Sequence, residues 1–185
     1  IAAFGFKPPF LATLVGVLFW PKVAMECTTR IHRVDGVRGG HAYLILEPEL
    51  TLVDTGNPGQ AGKVFHYLYR LGRRPQDLKR IILTHHDLDH MGSAARIKET
   101  SGAQLLAHQA EVDYIEGRRL GRPFPKGLAG FLGGRLWGRP RVDRALSEEV
   151  LPGGIEVIWT PGHTPGSLCL LVDGVLISGD LIWVG

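Results

Sequence analysis

The order of apolar and polar positions predicts a domain in which β-strands alternate with helices. Three short β-prone runs separated by turn-forming residues predict consecutive antiparallel strands; they span residues 28–34, 42–46 and 51–53. Apolar residues then recur at helical spacing between Gly59 and Gly72, which predicts a helix that stops at the second glycine. Strands that alternate with helices are typical of an α/β fold.

The pattern continues along the rest of the chain. Further strands are predicted at residues 80–84, 104–108, 156–159, 168–172 and 175–178. Helices are predicted after Gly92-Ser93 through Lys98, and from Glu111 to about Glu116. Asp173-Gly174 is a two-residue hairpin signal, which makes the last two strands antiparallel neighbours.

Length and composition fit one globular domain. The chain has 185 residues, of which 44% are hydrophobic and 21% charged. We expect residues 1–24 to be a hydrophobic N-terminal extension or upstream read-through, because Met25 opens the segment that has the pattern of a domain. A truncated membrane anchor is a less favoured alternative, since the apolar run 10–20 is too short to span a bilayer as a straight helix. Residues 25–185 form the predicted domain.

An irregular Gly- and Arg-rich insertion interrupts this domain at about residues 117–144. It carries eight Arg or Lys and a single acid, Asp143, so the basic charge of the chain is local. No nucleic-acid-binding motif accompanies that charge, and a nucleic-acid partner is not expected. The two cysteines, Cys27 and Cys169, form no disulfide framework, which favours a cytoplasmic protein.

A polar cluster follows the strand predicted at 80–84. Within residues 85–90 there are three imidazoles and two carboxylates, contributed by His85, His86, Asp87, Asp89 and His90. Imidazole nitrogen and carboxylate oxygen are zinc ligands, and crowded carboxylates need a compensating cation. The alternative is a solvated polar turn, which explains a single histidine better than it explains the whole cluster. A loop-borne metal site is therefore predicted.

The segment Thr84–His90 resembles the H-x-H-x-D-H metal loop of the metallo-β-lactamase superfamily. Three further segments match the family in order: Leu52–Gly56, Thr160–Ser167 and Ser178–Asp180. This chain departs from the family pattern in one position, because Asp87 stands where the second histidine is expected. The resemblance implies a four-layer αβ/βα sandwich, built from two mixed sheets with outer helices and with the metals at one edge.

The resemblance also implies a ligand set for two ions, most simply Zn²⁺, with Fe or Mn as alternatives. His85, Asp87 and His163 would hold the first ion, Asp89 and His90 the second, and Asp180 would bridge both. Asp54 would brace the metal loop. Taken singly, His163 could instead be a turn residue and Asp180 a strand-end cap. The family's last histidine would lie beyond Gly185, so the domain is expected to be incomplete at its C-terminal end.

The function implied is a metal-dependent hydrolase in which a metal-bound hydroxide attacks an ester, thioester or lactone of a small-molecule substrate. Asp89 would orient that hydroxide and pass a proton to the leaving group, while His41 and His108 are expected to be structural. The insertion would contact the substrate through Phe124, Phe131 and Trp137, or would be an amphipathic surface segment. A non-catalytic metal-binding protein of the same fold is the alternative, because Asp87 lowers the Lewis acidity of its ion. The oligomeric state is left open.

Overall fold

The computed structural model describes residue 28 and residues 30–46, 48–120 and 138–182. The extension predicted at 1–24, and the insertion residues 121–137 with Phe124, Phe131 and Trp137, lie outside the described residues. The interpretations placed on those segments remain predictions.

The first sheet has six strands in the order in which they occur along the chain. They are β1 (Ile31–Arg33), β2 (Tyr43–Ile45), β3 (Thr51–Val53), β4 (Arg80–Leu83), β5 (Gln104–His108) and β6 (Arg144–Leu146). The pairings β1–β2 and β2–β3 are antiparallel, as the short runs predict, and the pairings from β3 to β6 are parallel. Parallel strands need crossovers, and helices supply those between β3, β4 and β5.

The second sheet has four strands, in the order β10, β9, β8, β7. They are β7 (Glu149–Leu151), β8 (Ile155–Trp159), β9 (Leu168–Val172) and β10 (Val175–Ile177). Every pairing in this sheet is antiparallel, so only the first sheet is mixed. The predicted hairpin joins β9 to β10: Asp173 and Gly174 both have positive φ, at 50° and 77°, as a tight turn between twisted strands requires.

Four α-helices are described: α1 (Ala61–Arg70), α2 (Leu88–Met91), α3 (Ala94–Ser101) and α4 (Val112–Ile115). The chain leaves α1 and α3 through Gly72 and Gly102, whose φ angles are 69° and 73°. This left-handed conformation is least costly for glycine, which is why the helices stop there. None of the described helices has the length and apolar character needed to cross a bilayer.

Alternation along the central strands builds two cores. Ile81 on β4 and Leu105 on β5 pack towards α1 and α3, whereas Ile82 and Leu106 pack into the space between the two sheets. All four side chains are buried, because successive residues of a strand point to opposite faces and both faces are covered here. The described elements form a helix layer and two sheet layers. The predicted outer helix layer of the second sheet is not among them.

Three local features differ from the predictions. Strands β6 and β7 were not predicted, because neither carries an apolar run. The polar cluster at 85–90 is only partly a loop: Asp89 and His90 lie on the one-turn helix α2, with Asp87 at its N-cap. The helix predicted at 111–116 is a 3-10 turn, Gln109–Glu111, followed by α4.

Candidate metal centre

All the predicted ligands lie at one edge of the two sheets. His85 and Asp87 follow the end of β4, and Asp89 and His90 lie on α2. His163 lies in the loop between β8 and β9, and Asp180 lies in the 3-10 turn Gly179–Leu181 after β10. Strand ends from both sheets therefore bring together residues that are far apart in the sequence.

His85, Asp87 and His163 form the first group. Asp87 Oδ2 lies 3.0 Å from His163 Nε2 and 3.8 Å from His85 Nε2. The rings of His85 and His163 are 4.8 Å apart and nearly perpendicular. Asp87 therefore turns its carboxylate towards both histidines, although the sequence alone left open whether an acid at this position could join the group.

Asp180 lies between this group and His90. Its Oδ2 is 3.7 Å from His163 Nε2, and its Oδ1 is 3.0 Å from His90 Nε2. Ligand atoms of His85, His163 and Asp180 all lie within 4.8 Å of one another. One carboxylate that directs each of its oxygens to a different histidine has the arrangement expected of a bridging ligand.

Asp54 orients two of these histidines. It is buried and accepts hydrogen bonds from the Thr84 amide at 2.8 Å and the Thr84 hydroxyl at 2.7 Å, and its Oδ2 lies 2.8 Å from His90 Nδ1. Because the Thr84 hydroxyl donates to Asp54, it is free to accept from His85 Nδ1, 3.0 Å away. Both imidazoles thereby carry hydrogen on Nδ1, so each Nε2 points into the site and offers its lone pair there when the imidazole is neutral.

Asp89 is the most exposed predicted ligand. Its side chain is 45% exposed, and its Oδ2 lies 4.0 Å from His90 Nε2. The loop before β2 covers this side of the site, because the Gly40 amide donates to the Asp89 carbonyl at 3.0 Å. A Cβ added to Gly40 would lie 2.5 Å from His90 Nε2. A glycine there lets the backbone approach the imidazole closely.

The two neighbouring imidazoles have opposite pKa shifts. Burial, and then the charge on His90, lower the pKa of His85. Burial also lowers the pKa of His90, but Asp54, Asp180 and Asp89 outweigh it and raise that pKa to about 9. The ring centroids are only 4.1 Å apart, so one positive charge between them is favoured over two. The surrounding carboxylates therefore favour a positive charge at His90 over one at His85.

The donor set fits a metal ion. His85 Nε2 and His90 Nε2 are buried and make no hydrogen bond with any residue that the structure describes, and the same is true of His86 Nε2, which is not a predicted ligand. Buried polar atoms normally have a partner, and a cation bound through the lone pairs would supply one. Imidazole nitrogen together with carboxylate oxygen is a set that zinc accepts. The site thus combines imidazole nitrogens that lack a hydrogen bond among the described residues with several neighbouring carboxylates.

His86 and Glu111 form a second buried pair beside this centre, and sequence reasoning did not assign Glu111 a role. Glu111 Oε2 lies 2.5 Å from His86 Nδ1. Burial raises the pKa of Glu111, but its hydrogen bonds with His86, Thr164 and Gly166 lower it overall. His86 Nε2 lies 4.0 Å from Asp87 Oδ1, and its ring stacks on Tyr114 at 4.5 Å. Asp87 in turn contacts His163, with Oδ2 3.0 Å from Nε2.

The two histidines expected to be structural occupy the periphery. His108 stacks on Trp159, with ring centroids 5.2 Å apart, and its Nδ1 accepts from the Ala110 amide at 3.2 Å. His41 lies edge-on to Tyr43. Burial, then Arg33 and then His90 lower the pKa of His41. The described contacts of His41 and His108 are therefore ring packing and, for His108, a hydrogen bond within a turn.

Comparison with known proteins places these features in a family context. The family model described as the metallo-beta-lactamase superfamily matches residues 35–185. The probable metallo-hydrolase YflN of Bacillus subtilis is 30% identical over 89% of this chain and 70% of its own length. The hydroxyacylglutathione hydrolase of Anaeromyxobacter dehalogenans is 32% identical over 80% of this chain and 48% of its own length.

Solved structures give the same result for the fold. A subclass B3 metallo-beta-lactamase of Bradyrhizobium japonicum superposes with a TM-score of 0.64 at 32% identity, covering 78% of this chain and 55% of that one. A metallo-beta-lactamase of Cronobacter sakazakii with a motif named HARLDQ superposes with a TM-score of 0.63 at 27% identity, over 80% of this chain and 57% of that one. The chain therefore spans little more than half the length of these structures. Like HHDLDH here, HARLDQ lacks histidine at the third position.

Proposed function

Because the chain belongs to the metallo-β-lactamase superfamily, with the αβ/βα fold predicted from the sequence, we propose that it is a metal-dependent hydrolase of a small thioester. The observation that supports this most is the convergence of His85 Nε2 and His90 Nε2, which make no hydrogen bond within the described residues, on the carboxylates of Asp87 and Asp180. The thioester class is favoured because hydroxyacylglutathione hydrolases are among the relatives.

The proposed ligands divide into two sets. One ion is held by His85, Asp87 and His163, the other by Asp89 and His90, and Asp180 contributes one oxygen to each. Zinc is the proposed metal, because histidine and carboxylate are its common ligands in catalytic sites. The carboxylate of Asp87 adds a hard oxygen donor, which makes Fe and Mn the metals to test beside zinc.

Bound ions would supply the acidified water and the carbonyl polarisation that hydrolysis needs. The residues of the chain do the rest. Asp54 keeps the His85 and His90 rings in one tautomer, directly for His90 and through Thr84 for His85. Asp89, whose side chain is 45% exposed, accepts the proton that the attacking water gives up. The oxygen of the water adds to the thioester carbon, the C–S bond breaks, and the leaving sulfur takes the proton that Asp89 accepted from the water, so the products are a carboxylic acid and a thiol.

Metal content and thiol release test the proposal together. The wild-type chain, loaded separately with zinc, iron and manganese, is expected to bind about two ions and to release thiol from hydroxyacyl thioesters. His85→Ala and Asp180→Asn are expected to lose both metal and activity. His66→Ala is the matched control, because His66 lies exposed on α1 and its removal leaves both unchanged. A wild-type chain that takes up no ion under metal-replete conditions contradicts the proposal.

Asp87 supports one further candidate, a metal-binding member of the fold without turnover. A carboxylate donates more negative charge than imidazole does, and so weakens the polarising power of its ion. Normal metal content with no hydrolysis of thioesters, lactones or β-lactams identifies this candidate. Restoration of hydrolysis by Asp87→His would show that the acid itself suppresses turnover. Thioester hydrolysis by the wild-type chain excludes this candidate.

A further inference from the structure

We infer that Glu111 is a positioning residue of the metal centre, whose buried carboxylate clamps the loop of His85 and Asp87 to the loop of His163. The inference rests on the proposed function only in requiring that these residues bind metal. It does not depend on which substrate is hydrolysed.

Each oxygen of Glu111 bonds to a different loop. Oε2 accepts from the His86 amide at 2.9 Å and lies 2.5 Å from His86 Nδ1. Oε1 accepts from the Gly166 amide at 2.7 Å. His86 stands between the proposed ligands His85 and Asp87, and Gly166 lies in the loop that carries His163. One carboxylate thus spans the gap between the two sheets at the height of the ligands.

The burial of Glu111 makes this contact consequential. Its exposed fraction is 0%, and an ionised carboxylate is rarely buried unless its oxygens are satisfied. The His86 and Gly166 donors, together with the hydroxyl of Thr164, satisfy them. Hydrogen bonds to an ionised acceptor are about twice as strong as neutral ones. Separation of the loops would leave buried charge without partners, so the clamp resists separation.

The backbone of the second loop is shaped to reach Glu111. A Cβ added to Gly166 would lie 2.7 Å from Glu111 Cγ and 2.9 Å from Glu111 Oε1. The same Cβ would lie 2.9 Å from His108 Nδ1. Real Cβ atoms do not come so close to another heavy atom, so a larger residue requires Glu111, His108 or the loop of His163 to shift. Gly166→Ala therefore disturbs the contact of this loop with Glu111 while it keeps the carboxylate itself.

The clamp sets the distance between Asp87 and His163, and metal binding needs these two side chains to be close together. Asp87 belongs to the first loop and His163 to the second, and Asp87 Oδ2 lies 3.0 Å from His163 Nε2. The second loop has other supports, because Trp159 Nε1 donates to the Pro165 carbonyl at 3.1 Å and the Leu168 amide donates to the Thr84 carbonyl at 3.0 Å. Loss of the clamp is therefore expected to loosen the site without unfolding the loop.

The test is Co²⁺ and Zn²⁺ binding to the full chain carrying Glu111→Gln. The amide group of Gln has the size of the carboxylate but places an N–H donor against a donor of one loop. We expect metal affinity, measured by competition with a chromophoric chelator, to fall about 10- to 100-fold, as for other residues that orient ligands. The visible spectrum of bound Co²⁺ is expected to change, because the ligand geometry changes.

Asp143→Asn is the matched control. Asp143 also accepts a backbone amide, from Leu105 at 2.7 Å, but it pairs with Lys98 away from the site. The Asp143→Asn variant should have a lower free energy of unfolding but the metal affinity and the Co²⁺ spectrum of the wild type. Wild-type affinity and spectrum in Glu111→Gln would overturn the inference, and so would equal changes in Asp143→Asn.

If Glu111→Gln does not fold, Gly166→Ala tests the same inference. Its affinity and spectrum are expected to change in the same direction, and wild-type values would overturn the clamp. A wild-type chain that binds metal but hydrolyses no thioester contradicts the proposed function alone, since the binding comparison still holds. A wild-type chain that binds no metal overturns both.

Discussion

Asp54 connects the imidazoles of His85 and His90 in the proposed centre, and Asp54→Asn is the substitution that tests this connection most directly. The carboxylate takes three hydrogen bonds: from the Thr84 amide, from the Thr84 hydroxyl and with His90 Nδ1, all between 2.7 and 2.8 Å. Asn has the same size and can still accept from the Thr84 amide. Its amide nitrogen then replaces the oxygen that faces His90 Nδ1.

That replacement sets two donors against each other. His90 can relieve the conflict by moving its hydrogen from Nδ1 to Nε2, which removes the lone pair that faces Asp180. One hydrogen bond to a charged group is lost in either case, and such a bond contributes about 1.5–3 kcal/mol to stability. The pKa of His90, raised to about 9 by the surrounding carboxylates, is expected to fall when one of those charges is removed.

We expect Asp54→Asn to weaken metal binding in addition to its effect on folding stability. Loss of a group that orients a ligand lowers metal affinity about 10- to 100-fold. At saturating metal this reduces the metal-dependent gain in stability by about 1.4–2.7 kcal/mol. Chelator competition measures the metal affinity. Urea unfolding without zinc measures the free energy of unfolding of the metal-free chain, and unfolding with zinc measures the additional stability that metal binding gives. Nitrogen NMR of the imidazoles reports the tautomer of His90.

The matched control is Asp173→Asn. Asp173 shares the left-handed backbone of Asp54, with φ angles of 50° and 55°, but it lies in the β9–β10 turn and pairs with Arg30. This variant separates the backbone effect of Asn from the loss of the orienting carboxylate. An Asp54→Asn chain whose metal affinity stays within about twofold of wild type would refute the reasoning, because orientation of His90 would then not limit binding.

Three further outcomes are expected. Leu105→Ala removes a fully buried side chain from the core between the first sheet and the helices and should cost about 2–5 kcal/mol in urea unfolding, with little change in metal affinity per folded chain. Gly40→Ala would place a methyl group 2.5 Å from His90 Nε2, so elemental analysis should show loss of metal from a chain with unchanged circular dichroism; full metal content would contradict this. Burial raises the pKa of Asp143, but the hydrogen bonds from Lys98 and the Leu105 amide lower it overall. Its stabilisation should therefore be complete above about pH 4, the ordinary range for Asp, and be lost as pH falls through the lower folded pKa. Asp143→Asn should then destabilise the chain at pH 7 and converge with wild type at the acid end of a pH series; a constant difference would contradict the assignment.

Local sequence was sufficient for most elements, whereas the candidate ligands came from the resemblance to the superfamily and stay a prediction. The helix that ends at Gly72, the hairpin at Asp173-Gly174 and the strand that precedes His85 follow from periodicity and from the backbone preferences of glycine. Strands β6 and β7 did not follow, because neither segment carries a run of β-prone apolar residues of the kind that marks the other short strands. They exist because neighbouring strands offer hydrogen-bond partners, and that is a tertiary condition.

The sequence by itself determined which residue types could bind a metal and the order in which they occur. Whether Asp87 or His86 faces His163 was decided by the tertiary structure, because the direction of each side chain depends on where β4 ends and how α2 begins. The same holds for Glu111, which follows β5 and meets Gly166 only when the two sheets pack together. Metal sites and buried ion pairs depend on distances of a few ångströms between segments that are far apart in the sequence. Those distances are set only when the two sheets pack together, so they cannot be read from the order of residue types.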